Sequence, residues 1–449
     1  MNGTNNEDLR IAIIGAGMGG LACALAMKKY GFKTVEVYES ASNLGFVGAG
    51  IQLAPNMARI LDKLGCWANI EKEATKVKRT SIREGTDNRE LASIDLTKIK
   101  EQFGYDHMVG HRSNLAGSIY EACKEENVAF FFSTTAETIK SFGPKPSFVA
   151  RPRRGEPYIV EADVVLAADG VKSNSRVALL NELGVSAEVE DTGQSSYRIM
   201  LKREQMEHDP ELKTLIDADQ VTRWVGEKKH IIAYPVDNKN IYNISTAHPD
   251  THFAEAPSAT YTTRGSKTDV FETYAKFSEL CHRMLDLVPD GEVCEWKLRV
   301  HAPMPAWILG SVALVGDACH PTLPHLNQGA AQAVEDAAVL AIVLSKCPDH
   351  SPQSINKALQ VYQHVRKDRA ELLIGLAAAN GKAMQLGEGA AKEERDRQFA
   401  AFQKNKKGTV PDRGFDADTQ KMIWGHDCMK VADETFDETF ASLQVDARL

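Results

Sequence analysis

Apolar and polar positions change rhythm several times along the 449 residues. Ile11–Ile14 is a short apolar run, and the small residues of "LACALAMKKYG" after it repeat at helical spacing. "KTVEVYES" is a second β-type run, ending at Glu39. These runs predict a β–turn–α–β unit of about thirty residues. "PNMARILDKLG" has the pattern of an amphipathic helix. "MVGHRSNLAGSIYEAC" reads as a strand end and a helix capped by Ser113, and "EADVVLAADG" as a buried strand closing on Asp169-Gly170.

From about Ser186 to Cys294 the pattern turns to short β-type runs, "SYRIML", "TRWVG", "KHIIAYPV" and "NIYNIST", as in an antiparallel sheet. "SVALVGDACH" is again a buried strand, closing on Gly316-Asp317, and a helix pattern starts near Gly329. Beyond Pro348 the chain reads as helical, with a polar break at "AAKEERDRQFAAFQKNKKGTVPDRGFD". The expected fold class is α/β: a Rossmann-like nucleotide-binding domain, an inserted antiparallel β-sheet domain and a helical C-terminal region. The first domain is expected at 1–185 and 295–345, the insertion at 186–294 and the helical region at 346–449.

Charge and composition narrow the partners. Lys and Arg number 53 against 61 Asp and Glu, a formal net charge of −8. That acidity argues against nucleic acid as a partner, because phosphate binding needs a basic surface. Eight cysteines are scattered without a CxxC pair or Cys/His ligand spacing, so no metal site is expected. The polar start lacks a hydrophobic signal region, and no apolar run has bilayer length. A cytoplasmic location without stable membrane insertion is expected. The alternative is peroxisomal, from the loose fit of Ala447-Arg448-Leu449 to that terminal signal.

Gly15, Gly17 and Gly20 satisfy G-x-G-x-x-G between a strand and a helix. Gly15 permits the tight turn, Gly17 lets the backbone approach a pyrophosphate, and Gly20 lets the helix pack on the strand. Glu39, at the end of the second strand, has the position of a ribose-binding acid. This unit predicts an adenine dinucleotide and does not choose between FAD and NAD.

Three further segments resolve that choice: "GAGIQLAPN", "AADGVKSNSR" and "LVGDACHPTLPHLNQGAAQAVEDA". In order and spacing they resemble the class A flavoprotein aromatic hydroxylases, nearest the salicylate hydroxylase and 6-hydroxynicotinate monooxygenase branch. The resemblance covers roughly residues 9–345 and is thin in the β-rich insertion. It implies FAD as cofactor, NAD(P)H as transient co-substrate, O2, and a small aromatic acid as substrate, in a monomer or homodimer. By resemblance Asp317 meets the ribityl chain, Arg112 contacts the cofactor, and Asp169 touches both FAD and NAD(P)H. Gly50 and Ile51 lie on the loop at the flavin edge. Pro324, Gly329 and Ala330 belong to the loop and helix N-terminus that face the flavin, where a helix dipole stabilises negative charge.

A phenol is activated for hydroxylation by losing its proton, so the site needs a base or a phenolate-stabilising pair. His230 and Tyr234 stand four apart in a strand and share a face. The branch places a histidine and a tyrosine at that spacing, which implies catalytic roles for both. Gln52 stands where some relatives carry histidine. Arg198 is either a carboxylate clamp or a surface arginine. His320 is expected to be structural, and His325 to lie near the flavin ring. The resemblance implies hydroxylation of a hydroxybenzoate at the carboxyl-bearing carbon with loss of CO2. Ring hydroxylation without CO2 loss, as by a 3-hydroxybenzoate 6-hydroxylase, and a secondary-metabolite epoxidase or hydroxylase are the alternatives. A nicotinamide-dependent dehydrogenase fits less well, because it has no need of a ribityl contact at Gly316-Asp317.

Overall fold

The computed structural model describes residues 6–44, 49–186, 189–251, 262–289, 291–405 and 410–444. Gly48 of the "GAGIQLAPN" segment and the terminal Ala447-Arg448-Leu449 lie outside the described residues.

A six-stranded sheet forms the nucleotide-binding unit, in the order Ile308–Leu309, Val312–Leu314, Val164–Ala167, Arg10–Ile14, Thr34–Tyr38, Ala129–Phe131. Only the first of these pairs is antiparallel. The strands are continuous apolar runs because helices cover both faces. Helix Met18–Lys29 and helix Gly329–Ser345 are buried along most of their length. Strand Arg10–Ile14 is central, and the chain leaves it to both sides, with Thr34–Tyr38 on one flank and Val164–Ala167 on the other. That reversal is a topological switch point, where doubly wound sheets bind ligands outside their carboxyl edges.

The second sheet has eight strands, in the order Thr262–Gly265, Val293–His301, Val189–Lys202, Ile241–Pro249, Lys229–Val236, Gln220–Gly226, Arg79–Glu84, Glu90–Asp95. Side-chain alternation splits it into two faces. Tyr197, Ile199, Leu201, Trp224, Ile231, Ala233, Tyr242 and Ile244 form the rear core, under helices Pro210–Asp217 and Glu279–Asp286. The front face carries Arg198, Met200, Arg223, His230, Ile232, Tyr234, Asn243 and Ser245, as the strand registers require.

This sheet is wider than the segment 186–294. Residues 79–95 add two strands, and strand Val293–His301 runs past the expected boundary. The reason is the parallel pairing of Gln220–Gly226 with Arg79–Glu84. Such partners need a long crossover and leave no hairpin signal between them.

Two local expectations also change. His111, not Ser113, caps helix Arg112–Glu125, its ring accepting from the Ser113 backbone N–H. The polar stretch after Gly389 contains helix Ala390–Asn405, whose Ala, Glu, Lys, Arg and Gln are strong helix formers around a buried Phe399. The C-terminal region also contains the 33-residue helix Pro352–Met384. Among the described residues no helix is long and apolar enough to cross a membrane.

Candidate active site

Gly15, Glu39, Asp169 and Asp317 sit just past the carboxyl ends of four neighbouring parallel strands. The sequence scatters them over about 300 residues, and the sheet brings them to one edge. Gly15 has φ +95°, and a Cβ there would lie 2.6 Å from the Ala168 carbonyl oxygen. At Gly20 a Cβ would lie 1.9 Å from the Gly15 carbonyl oxygen. A Cβ on Gly17 would meet nothing within 4 Å, and no side chain caps the helix that starts after it. The result is an open helix N-terminus at the switch point, the form of a pyrophosphate site.

Two of the expected ligating acids are engaged by the protein itself. The Glu39 carboxylate accepts from the backbone N–H groups of Ala16 and Ala41, each at 2.7 Å. That of Asp169 accepts from Ser173 Oγ at 2.6 Å and Ser175 N at 3.0 Å, which orders the turn into helix Asn174–Glu182. Asp317 is exposed at the first turn after its strand. Its charge acts on Arg112, whose guanidinium burial pushes down from its ordinary range and Asp317 partly restores. Gly50 lies where the nucleotide unit meets the large sheet. A Cβ there would lie 2.6 Å from both Tyr234 Cε2 and Asn243 Cγ, and its N–H donates to Asn243 Oδ1 at 2.6 Å. That amide is thus taken by the sheet, and Ile51 beside it is half-buried.

Asn327 has φ +56° and ends the short turn that Pro324 starts, aiming the chain into helix Gly329–Ser345. Pro324 is exposed, and Gly329 and Ala330 are half-buried at the helix start. No side chain caps this helix either.

Beneath that helix lies a network that the sequence did not reveal. Arg366, fully buried on helix Pro352–Met384, donates to Asp336 Oδ1 at 2.8 Å, Glu335 Oε2 at 2.5 Å and Gln332 Oε1 at 2.7 Å. Arg369 donates to Glu335 at 2.9 Å and 3.0 Å. Asn56 Nδ2 donates to Glu335 and to Gln328. Asp336 also accepts from the Gly316 N–H at 3.0 Å and meets His320 Nε2 at 2.5 Å. Burial opposes both charges of the His320–Asp336 pair. The attraction between them outweighs that, holding the imidazole well above its ordinary range and the carboxyl below its own. The expected structural role of His320 therefore has a partner. Cys319, His320 and Asp336 lie close enough to hold a metal ion. Arg366 already engages the Asp336 carboxylate, which makes the group an ion-pair network.

On the front face, His230 Nδ1 faces Gln385 Nε2 at 3.0 Å, and its ring meets that of His325 edge-on at 5.4 Å. Burial, then His325 and Arg223, push His230 well below the ordinary imidazole range. Burial and Arg223 lower His325 to about 4. Burial raises the Tyr234 phenol despite the pull of Arg198 and Arg112. Gln52 is buried, its Oε1 3.1 Å from His107 Nε2. Gln385, Arg366 and Arg369 come from the C-terminal region, whose sequence carries helical periodicity but no motif that marks them.

The cradle at the switch point, the Gly-Asp strand end and the uncapped helix facing them define a flavin-binding α/β enzyme. A family described as "FAD binding domain" matches residues 8–377, and the chain belongs to that family. It is 31% identical to the FAD-dependent monooxygenase ntnJ of Nectria sp, over 94% of this chain and 95% of that protein. It is also 31% identical to 3-hydroxybenzoate 6-hydroxylase 1 of Aquipseudomonas alcaligenes, over 79% of this chain and 84% of that one. Among solved structures, a salicylate hydroxylase substrate complex superposes with a TM-score of 0.76 at 22% identity, covering 95% of this chain and 97% of that one. The chain is an FAD-dependent monooxygenase. The residues present fit the cofactor: an open glycine turn, a helix N-terminus without a cap, and a half-buried guanidinium under the influence of Asp317.

In the Asp317→Ala variant, FAD affinity should fall about 10- to 100-fold, the size of a lost hydrogen bond to a charged group. Flavin content after gel filtration measures it, and a fully loaded variant would remove Asp317 from the cofactor site.

Proposed function

We propose that the chain hydroxylates the ring of a hydroxybenzoate-type aromatic acid, consuming NAD(P)H and O2. The observation that carries this reading is the front face of the large sheet. A neutral His230 and Tyr234 stand on one strand with Ile232 between them, about 13 Å apart along the backbone. That span accommodates a ring with one polar group at each end.

When bound, FAD supplies the redox chemistry, taking two electrons from NAD(P)H and delivering one oxygen atom of O2. The chain's own residues bind and orient the ring and stabilise its phenolate form. The Gln385 amide nitrogen can only donate to His230 Nδ1, so the proton of the neutral ring sits on Nε2. That N–H donates to the phenolate oxygen and stabilises the electron-rich ring. Burial of the face excludes water from it.

Gly15, Gly17, Gly20, Asp317, Arg112, Pro324, Gly329 and Ala330 are assigned to the cofactor side. The Glu39 and Asp169 carboxylates, oriented by the partners they hold, keep acceptor sites for ligand hydroxyls. One relative, 3-hydroxybenzoate 6-hydroxylase 1, supports retention of the carboxyl group, since its name gives a different ring position as the one attacked, whereas 6-hydroxynicotinate 3-monooxygenase is named for the carboxyl-bearing position. Loss of CO2 from the carboxyl-bearing carbon is the second reading, from the sequence resemblance.

The test is a panel of hydroxybenzoate isomers, scored for NAD(P)H consumption, hydroxylated product and CO2. Hydroxylated product with no CO2 is the expected result. Stoichiometric CO2 would install the second reading, and no coupled oxidation of any isomer would end the proposal. Changing His230→Ala should lower kcat about 100-fold with FAD retained, the size of a lost hydrogen bond to a charged group. Unchanged turnover would return His230 to a packing role.

A further inference from the structure

One imidazole beside the front face has no use for either of its nitrogens. His325 is 3% exposed, and among the described residues neither Nδ1 nor Nε2 makes a hydrogen bond. Three contacts nevertheless hold the residue in place. Its carbonyl oxygen accepts from Asn380 Nδ2 at 2.9 Å, on helix Pro352–Met384. Its ring meets that of His230 edge-on. Gly381, next along the helix, leaves room for the ring: a Cβ there would lie 2.4 Å from His325 Cδ2 and 2.7 Å from Nε2. Glycine weakens a helix interior, so its place here marks the space that the ring needs. The Cδ2–Nε2 side of the ring rests on the glycine, and Nδ1, the ring atom opposite, is the nitrogen left for a ligand.

A cavity of about 20 Å³ lies beside the ring, lined also by Gln52, His107, Arg223 and Asp412. That is room for one group the size of a water molecule. His107 Nδ1 likewise has no partner. Arg223 Nη1 donates to Asp412 Oδ2 at 2.6 Å, so each of these charges already has its counter-ion. Burial and Arg223 keep His325 neutral. The cavity therefore fits a small uncharged polar group rather than an acid. It adjoins the place proposed for the ring, because Arg223 pairs across the strands with Ile232, the residue between His230 and Tyr234. Two hydroxyls on alternate ring carbons stand about as far apart as the two imidazoles, whose centres are 5.4 Å apart.

We propose that His325 binds a second ring hydroxyl, on the carbon next but one to the first, and that the enzyme prefers dihydroxylated aromatic acids to monohydroxylated ones. This deepens the hydroxybenzoate reading and rests on it. With the first hydroxyl at His230 and the ring over Ile232, the second enters the cavity. A hydroxyl matches a neutral imidazole, because each both donates and accepts. A buried nitrogen without a partner is costly, and the hydroxyl supplies one.

The test titrates FAD-loaded wild type and His325→Phe with 3-hydroxybenzoate and 3,5-dihydroxybenzoate, following the flavin spectrum. The pair 4-hydroxybenzoate and 2,4-dihydroxybenzoate repeats the comparison with the carboxyl group moved. Wild type should bind at least one dihydroxy acid about 3- to 10-fold more tightly than its monohydroxy parent, the size of one hydrogen bond. In the variant that preference should fall below about twofold, with monohydroxy binding changed less than about threefold and FAD content unaltered. His325→Asn, whose amide stands in for Nδ1, should restore part of the preference. Equal binding of both acids in wild type, a preference that survives in His325→Phe, equal weakening of both acids, or loss of FAD would each overturn the proposal. Should wild type bind no hydroxybenzoate isomer, the hydroxybenzoate reading fails by itself, and resorcinol and phenol then serve as the same pair of rings without a carboxyl group. Tighter binding of resorcinol that is lost in His325→Phe keeps the hydroxyl site, while equal binding of the two, or binding of neither, removes it.

Discussion

Changing Arg366→Met is expected to cost the fold about 3–5 kcal/mol, the usual penalty for removing one partner of a buried ion pair. Methionine fills much of the same volume, so the loss is electrostatic rather than a cavity. Arg366 is the group shared by Glu335 and Asp336, both fully buried. Arg369 still serves Glu335 in the variant, and His320 still serves Asp336. What is lost is the donor to Asp336 Oδ1 and to Gln332 Oε1, which are left buried without it. Denaturant titration of the apo protein measures the loss, and a change below about 1 kcal/mol would remove Arg366 from the centre of the network.

The same network sets a pH signature. Burial pushes the Glu335 carboxyl up, but Arg366 and Arg369 outweigh it and hold it down to about 2, below its ordinary 4.5. Its contribution is therefore present above about pH 4.5 and is lost as pH falls toward 2. His320 has the opposite sign. Held above its ordinary 6.5 in the fold, it contributes fully below that value, and the contribution is lost as pH rises through the raised one. The cluster therefore supports the fold most fully between about pH 4.5 and 6.5. In Arg366→Met the acid-side slope of stability against pH should shrink. An unchanged slope would assign the acid dependence to other carboxylates.

Gly20→Ala is expected to lower FAD affinity by at least about 100-fold, because the methyl group would stand 1.9 Å from the Gly15 carbonyl oxygen. The obstacle is backbone, so the turn itself must open, and the cradle loses its shape. Gly17→Ala is the informative partner. Its methyl group meets nothing in the protein, so the apo variant should unfold at the wild-type temperature. It would still obstruct the pyrophosphate, so FAD binding should weaken there too. Thermal unfolding without FAD and flavin fluorescence with it separate the two effects. A Gly20→Ala protein that keeps a full complement of FAD would end the steric account.

Much of the nucleotide unit is legible because its requirements are local. A glycine turn, a strand before it and an acid at the end of the next strand are all readable within thirty residues. Gly316-Asp317 is readable for the same reason, as a strand end followed by a helix. The shared face of His230 and Tyr234 follows from the two-residue period of a strand. Partnerships between distant segments leave no such trace. Asp336 lies in a segment that carries the resemblance and Arg366 on a helix that shows only periodicity, and a buried arginine looks like any other until its acid is placed beside it. Residues 79–95 are likewise readable as β-type, but their parallel partner at 220–226 is not. Helix Ala390–Asn405 was obscured by its charge, although its composition favours helix.

The interleaving of the six-stranded sheet has a consequence for how the protein is made. Gly15 leaves the ribosome about 300 residues before Asp317, and strand Val164–Ala167 must wait for Val312–Leu314 before its outer edge is paired. At 5–20 residues per second, about 15–60 seconds of synthesis separate the first half of the cofactor crevice from the second. Arg366, which anchors the floor beneath helix Gly329–Ser345, arrives later still. The nascent chain therefore cannot capture FAD as its first domain emerges. Loading is a late event, completed only once the strand and helix of residues 312–345 have emerged, and a chain truncated before the long C-terminal helix would lack the guanidinium that Glu335 and Asp336 share.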